Sequence, residues 1–177
     1  RKKINYVIII STNSGLWRYV IGDTIRFTSV FPFRIQITGR IKNFINAFGE
    51  ELIIENAEKA LEQTLISHKS SIVDYTAAPF FMDNGNSGHH EWLIEFNDPP
   101  KDLIQFTTDL DDNLKKTNSD YKSKRFKNIT MSELEIKVAK KKLFYTWLKN
   151  KKKLGGQNKV PRLCNNRGLI EELLKLN

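Results

Sequence analysis

The sequence predicts an α+β fold, in which a small β-sheet packs with helices and follows a few strands from the end of another domain. Two observations lead to this prediction. From residue 40 onward, apolar residues recur with strand or helix periods in the order β-α-β-β-α-β-α, which is typical of helices packed on one small sheet. Before residue 40 there are four strand patterns and no helix, which is a poor basis for an independent core. We therefore expect a division between residues 1–39 and 40–177.

The first part of the chain predicts short strands separated by turns. The predicted strands are residues 4–10, 16–21, 24–30 and 34–38. The first is a continuous apolar run, which predicts a buried strand. Gly22 and Asp23 end the second strand, and Pro32 turns the chain before the fourth. The fourth alternates with period two, which predicts one buried and one solvated face.

The second part of the chain alternates between the two periods. Its predicted elements are a strand at 44–48, a helix at 52–66, strands at 72–78 and 91–96, a helix after Pro100, a strand at 134–138, a helix around 143–148 and a helix at 168–176. The helices are predicted because apolar residues recur at helical spacing, as Ala57, Leu61 and Leu65 do. The Asn/Gly-rich stretch 83–88 predicts a flexible hairpin loop.

The composition is that of an ordinary globular protein, with 40% hydrophobic and 28% charged residues in 177. No apolar run approaches the roughly 20 residues that a membrane span requires. Residues 1–4 have a basic head but no long apolar region, so they do not form a secretion signal. A single cysteine, Cys164, excludes an internal disulfide and fits a reducing compartment. We therefore expect a cytoplasmic protein. The chain opens almost inside a strand and without Met, which suggests a piece of a longer polypeptide.

Positive charge is concentrated in one part of the chain. Residues 115–162 hold sixteen Lys and Arg against three acids, a local charge of +13 within a chain whose total is +9. Such a surface suits a polyanionic partner, either nucleic acid or the phosphates of a nucleotide. A solvated lysine-rich surface explains the same composition. The sequence alone favours the solvated surface.

Asp23 is the best candidate for a ligand contact. Its carboxylate offers two acceptor oxygens, and a ribose offers two adjacent hydroxyl donors. Gly22 would let the backbone approach a ligand closely. An ordinary aspartate in a turn explains the same pattern. Arg40 has a similar ambiguity, between a phosphate contact and a surface ion pair, and the position of Tyr19 favours a core residue over a ligand contact.

Other motifs give weaker signals. Residues 154–159 resemble a phosphate-binding loop but lack the order of a P-loop. His89 and His90 lie in a Gly/Ser-rich stretch without a third ligand at a metal spacing, so we predict no metal site. Cys164 is far in sequence from every histidine, which gives no support to a Cys–His nucleophile.

Several of these motifs together resemble a known superfamily. Leu16–Asp23, the pair Gly39–Arg40, and Gly49–Glu50 before a glutamate-rich helix resemble the adenylate-forming enzymes: acyl-CoA synthetases, peptide-synthetase adenylation domains and luciferases. Trp147 followed by Lys153–Leu163 resembles more narrowly the auxin-responsive promoter family of ATP-dependent acyl-acid amido synthetases. The resemblance covers nearly the whole chain, and its C-terminal element is the more specific part.

The resemblance implies roles for individual residues. Asp23 matches the aspartate that holds the ribose hydroxyls of ATP, and Tyr19 opens the same cofactor-binding motif. Arg40 lies where the chain enters a small mobile C-terminal domain, near the nucleotide. Asn43 falls close to the hinge. Lys159 matches a catalytic lysine that this domain carries into the active site.

The resemblance also implies a reaction in two steps. A carboxylic acid attacks the α-phosphate of Mg²⁺-ATP, and an amine, usually an amino acid, then displaces AMP from the acyl-adenylate to form an amide. ATP and Mg²⁺ would be held mainly by a large N-terminal domain of the same polypeptide. Its phosphate loop and acyl pocket are not in these 177 residues, so we expect this chain alone to be inactive.

Two other functions are compatible with the residues. A basic α+β module with Tyr121, Phe126 and Tyr145 on its surface could stack bases and contact phosphates. A non-catalytic interaction domain is the second possibility. The aromatic signature of an RNA-recognition strand is missing from the sequence, and we expect no specific nucleic-acid partner and no membrane association.

Overall fold

The computed structural model describes residues 4–40, 44–81, 87–155 and 158–177, except for the side chain of Arg40. The strands are β1 Asn5–Ile10, β2 Tyr19–Val30, β3 Phe33–Arg40, β4 Phe44–Ile45, β5 Leu52–Ile53, β6 Ser71–Phe80, β7 His89–Asp98 and β8 Glu135–Val138. The helices are α1 Ile54–His68, α2 Leu103–Thr117, α3 Ser119–Lys124, α4 Leu143–Asn150 and α5 Gly168–Leu174, with a 3₁₀ turn at Phe126–Asn128. None of the helices in these ranges is long and apolar enough to cross a membrane.

Strands β1, β2 and β3 form an antiparallel sheet in that order. The expectation that Gly22 and Asp23 end a strand is wrong, because β2 continues through both residues from Tyr19 to Val30. Gly22 adopts a φ of +92° inside the strand, a conformation that glycine takes without steric cost. The strand therefore absorbs the irregularity and keeps its pairing on both sides.

The burial predicted for this first sheet is wrong in two places. The apolar run at residues 4–10 is not buried, since Val7 and Ile9 are 46% and 56% exposed. In β3, Ile35 and Ile37 are exposed and Thr38 is buried, the reverse of what the alternation suggests. The reason is that neither hydrophobic core of the described chain includes a residue of β1, β2 or β3.

The second part of the chain is built on the sheet β6-β7-β8. Strand β6 pairs antiparallel with β7, and β7 pairs parallel with β8. Because a parallel pair requires a crossover, α2 and α3 lie between β7 and β8 in the chain. The short strands β4 and β5 pair with each other just before α1.

Helices cover both faces of this sheet. Along β7, Trp92, Ile94 and Phe96 belong to a core that includes residues of α1 and α2, whereas Leu93 belongs to a second core with residues of α4 and α5. This alternation follows from the period-two geometry of a strand. The predicted α+β class, with helices packed on a small sheet, is confirmed.

Most predicted elements after residue 40 are present, with ends that differ by a few residues. The strand expected at 44–48 is shorter, since β4 holds only two residues and pairs with the unpredicted β5. Helix α3 was also not predicted, although Asn118 caps it by accepting a hydrogen bond from the Tyr121 amide at 2.8 Å. Most of the hairpin loop expected at 83–88 lies outside the described residues.

Candidate functional site

Asp23 lies at a bulge in the first sheet. Between the pairs Val7–Thr24 and Ile9–Val20, β1 advances two residues while β2 advances four. Bulges re-aim side chains and are frequent beside active sites. Asp23 faces Arg40 of β3 in the strand register, so the backbones of two predicted nucleotide contacts are adjacent. Tyr19 is 53% exposed at the start of β2, so its interpretation as a core residue is wrong in this chain.

The first sheet contacts helix α1 at two points. A Cβ added to Gly39 would lie 3.0 Å from Cγ2 of Ile54, so only glycine allows the strand to approach this closely without displacing a neighbour. Arg26 of β2 also pairs with Glu55 at 3.3 Å, at the protein surface. Asn43, the expected hinge residue, lies outside the described residues. The structure therefore shows contacts on either side of the expected hinge without describing the hinge itself.

Lys159 precedes a segment that is fixed to strand β6. The Ala77 amide donates to the carbonyl of Arg162 at 2.8 Å, and the Cys164 amide donates to the carbonyl of Ala77 at 2.9 Å. Leu163 and Ala77 thus form a parallel bridge. Val160 is buried at 3% exposure, whereas Lys159 is exposed. The next side chain after the lysine is therefore anchored, and the lysine projects from the anchored end.

Two further contacts hold this segment. The hydroxyl of Thr76 donates to the carbonyl of Pro161 at 2.8 Å. Beyond the segment, the Asn46 amide donates to the side-chain oxygen of Asn165 at 2.9 Å, which ties it to the region of β4. Residues from two distant parts of the chain thus determine where the segment lies, and we expect the position of Lys159 to depend on both.

Arg162 is the centre of a charged cluster near Lys159 in the chain. Its guanidinium bonds to Glu58 of α1, lies 3.6 Å from Asp74 and stacks 5.4 Å from the ring centre of Tyr75. Burial raises the pKa of Asp74, while the positive charges of Arg162 and Lys159 act in the opposite direction. Sequence patterns single out Lys159 but not this cluster, because Glu58 lies 104 residues before Arg162 in the chain.

Histidines 89 and 90 belong to strand β7 and not to a loop, contrary to the sequence interpretation. His90 is fully buried, and its Nε2 lies 2.7 Å from a carboxylate oxygen of Glu50, which is also fully buried. Burial acts to raise the pKa of Glu50, but the hydrogen bonds from His90 and from the Phe48 amide lower it overall. In the part of the chain that the structure describes, no three potential metal ligands are grouped together.

The surface required for base stacking is incomplete. Tyr121, one of the three aromatic residues considered for this role, is fully buried, and its hydroxyl donates to Asp111 at 2.6 Å. Phe126 and Tyr145 are exposed at 63% and 54%. A buried, hydrogen-bonded tyrosine cannot stack on a base, so the structure removes one of the residues on which the nucleic-acid hypothesis depends.

The structure brings the predicted residues into two groups. Tyr19, Asp23 and Arg40 lie on the first sheet, and Lys159 lies beside the second sheet. The first group has a carboxylate at a bulge, and the second has an exposed cation at an anchored end. Together they define a small α+β domain preceded by the last strands of another unit, with candidate polar contacts on each.

The comparisons with known proteins agree with this description. The family description "GH3 family C-terminal domain" matches residues 55–168, and "GH3 family central domain" matches residues 2–40. The chain therefore belongs to the GH3 family, and it corresponds to the family's C-terminal portion. No curated protein sequence matches it.

Solved structures show the same fold. A structure titled "GH3.15 acyl acid amido synthetase" aligns with 99% of this chain at a TM-score of 0.75 and 25% identity. A second, "AtGH3.15 acyl acid amido synthetase in complex with 2,4-DB", aligns with 99% at a TM-score of 0.73 and 22% identity. The chain spans only 32% and 33% of the length of these two structures. The resemblance to acyl-acid amido synthetases is confirmed at the level of the family.

Proposed function

We propose that this chain is the C-terminal part of an ATP-dependent acyl-acid amido synthetase that adenylates a carboxylic acid and conjugates it to an amine, an amino acid in the usual case. The observation that carries the proposal is the match to both GH3 domains in sequence order, together with a fold shared over 99% of the chain with an acyl acid amido synthetase. In this proposal residues 1–39 are terminal strands of a large N-terminal domain, and residues 40–177 are a mobile lid.

The nucleotide-binding part of the proposal rests on the first sheet. Asp23 would accept hydrogen bonds from the ribose hydroxyls, and such bonds to a charged acceptor are stronger than neutral ones. Tyr19 and Arg40 would line the same end of the nucleotide. Gly22 supports this arrangement because its positive φ shapes the bulge that carries Asp23. ATP and Mg²⁺ would be bound mainly by the preceding domain.

The catalytic part of the proposal rests on Lys159. Negative charge accumulates where the acyl carboxylate meets the α-phosphate, and a cation placed there stabilises the transition state. The anchored segment supports this role because preorganised charge requires a fixed support. An acyl-adenylate also has to be shielded from water between the two steps, which a lid that closes over the site achieves.

The test is a pair of half-reaction assays on the full-length protein. Adenylation is measured by exchange of labelled pyrophosphate into ATP in the presence of a panel of carboxylic acids. Amide formation is measured separately, from a supplied acyl-adenylate and an amino acid. We expect Lys159→Ala to slow adenylation about a hundred- to thousandfold and to spare amide formation, because the lid moves before the second step.

The matched control is Lys149→Ala, which removes an exposed lysine of the same basic region on helix α4. It should leave both half-reactions unchanged. Equal damage to both steps by Lys159→Ala would indicate a structural role, and normal adenylation would exclude Lys159 from the site. If no carboxylic acid supports pyrophosphate exchange in the unaltered protein, the proposed activity is wrong.

A further inference from the structure

A cavity of about 510 Å³ lies between helix α1 and the beginning of strand β6. This volume falls within the range of roughly 300–1,000 Å³ that is typical of small-molecule sites. The lining residues are Glu58, Leu61, Glu62, Leu65, Ile66, Lys69, Ser70, Ile72, Tyr75 and Arg162. The proposed amide-forming reaction assigns no role to this cavity.

Two hydroxyl groups in its wall have no partner. Tyr75 is only 2% exposed, and within the described chain its hydroxyl makes no hydrogen bond. The side-chain hydroxyl of Ser70 is buried and unpaired in the same way. Buried polar atoms are nearly always satisfied in folded proteins, so two unpaired hydroxyls at one cavity indicate a missing ligand. Burial raises the pKa of Tyr75, which keeps its hydroxyl protonated and able to donate.

The charged residues of the wall are balanced in sign. Arg162 and Lys69 carry positive charge, and Glu58 and Glu62 carry negative charge. Arg162 is already paired with Glu58, whereas Lys69 and Glu62 have no ion-pair partner among the described side chains. A ligand with one positive and one negative group can therefore pair with both signs, while a simple anion or cation meets a like charge as well.

The remainder of the wall is apolar. Leu61 is 2% exposed and belongs to the main core, and Leu65 and Ile72 pack against that core while lining the cavity. An aliphatic group placed here would remove apolar surface from water on both sides. The ligand that suits the cavity therefore has an apolar body in addition to two opposite charges.

We propose that this cavity binds a small zwitterion with an apolar side chain, for which an aliphatic α-amino acid is the simplest probe. Its carboxylate accepts from Tyr75, Ser70 and Arg162, its ammonium group pairs with Glu62, and its side chain rests on Leu65 and Ile72. The proposal goes beyond the amide-forming reaction, because it concerns binding in the absence of ATP and an acyl acid.

The test is calorimetric titration of the full-length protein with L-leucine, without ATP or an acyl acid, so that the result does not depend on adenylation. We expect a dissociation constant on the order of 1 mM or tighter. Two probes that lack one charge, 4-methylpentanoate and 3-methylbutylamine, should each bind roughly tenfold more weakly or not at all.

Tyr75→Phe is the informative variant, because it removes only the unpaired hydroxyl. It should weaken leucine binding roughly tenfold, and the melting temperature without ligand should stay the same or rise. Tyr145→Phe, which removes an exposed hydroxyl from helix α4, is the matched control and should change neither quantity.

Three results would overturn the proposal. The first is no leucine binding by the unaltered protein at roughly ten times the expected dissociation constant. The second is equal leucine affinity in Tyr75→Phe and in Tyr145→Phe. The third is a lower melting temperature for Tyr75→Phe than for Tyr145→Phe, because a stabilising hydroxyl already has a partner.

Discussion

Replacing Asp111 by asparagine should remove a large part of the stability of this fold. Asp111 is 1% exposed on helix α2, and its carboxylate accepts from Tyr121 at 2.6 Å, from Arg125 at 2.9 Å through each oxygen, and from Lys115 at 2.6 Å. The amide keeps the size of the side chain but removes its charge. Arg125, whose side chain is 5% exposed, is then buried without a counter-charge. Breaking a buried pair in this way costs about 3–5 kcal/mol, against a total of about 5–15 kcal/mol for a typical domain.

The measurement is urea unfolding at pH 7, with Asp112→Asn as the matched control. Asp112 is the next residue and changes the net charge equally, but its side chain is 52% exposed and pairs with Lys115 at the surface. The control should cost no more than about 1 kcal/mol. If Asp111→Asn costs no more than Asp112→Asn, the buried network does not stabilise the fold and the reasoning is wrong.

The same variant predicts a dependence on pH. Burial acts to raise the pKa of Asp111, but the bonds from Arg125, Lys115 and Tyr121 lower it overall. A carboxyl group with a lowered pKa in the folded state stabilises the fold above its unfolded pKa of about 3.9, and this contribution is lost as the pH falls through the folded value. The difference in unfolding free energy between the unaltered protein and Asp111→Asn should thus be complete at neutral pH and shrink below about pH 4. A difference that persists undiminished in acid would exclude the carboxylate charge as its source.

Three further predictions concern the nucleotide, nucleic acid and packing. In the full-length protein, Asp23→Ala should raise the Michaelis constant for ATP roughly ten- to hundredfold and that for the acyl acid much less; an unchanged ATP dependence would make Asp23 a structural residue only. Filter binding to random RNA or DNA should give a Kd of roughly 10⁻⁴–10⁻⁶ M that weakens steeply with salt, and nanomolar, sequence-specific binding would favour the nucleic-acid module. Gly88→Ala should cost about 1–3 kcal/mol in urea unfolding, because the new Cβ would lie 2.4 Å from the ring of Phe48; unchanged stability would show that the ring moves aside freely.

The sequence predicts the second part of the fold well, because its signals are local and periodic. The stripe of Ala57, Leu61 and Leu65 predicts α1, and the alternation around Trp92 and Leu93 predicts β7. Both patterns report which side of an element meets a core, and in this part of the chain cores cover both faces of the sheet. Local pattern and tertiary environment therefore agree.

The first sheet is predicted less well, because its apolar pattern refers to packing that the described chain does not contain. Ile35 and Ile37 alternate as core residues do, yet both are exposed. Gly22 suggests the end of a strand, and only the pairing of β2 with its neighbours on both sides shows that the strand continues. A single sequence contains no signal of that pairing.

The candidate site was predicted in part. The family resemblance singled out Asp23 and Lys159, and both remain proposals. The contacts of Arg162 with Glu58 and Asp74 were missed, because they join residues that are distant along the chain. Asn118 was a readable signal for α3, since asparagine is a preferred helix cap, but the short helix that follows has too few residues to show a period.

The anchoring of residues 160–164 on strand β6 sets the timescale on which Lys159 can change its surroundings. Its Cα lies about 3.8 Å from that of Val160, which is buried, so the lysine backbone cannot travel as the middle of a free loop does. Side-chain rotation takes place within nanoseconds, whereas collective movements of domains take microseconds to milliseconds. Any larger excursion of Lys159 has to carry the sheet with it and belongs to the slower class. A relaxation experiment sensitive to fast loop motion would therefore find this residue quiet, even in a protein that exchanges between two arrangements in every turnover.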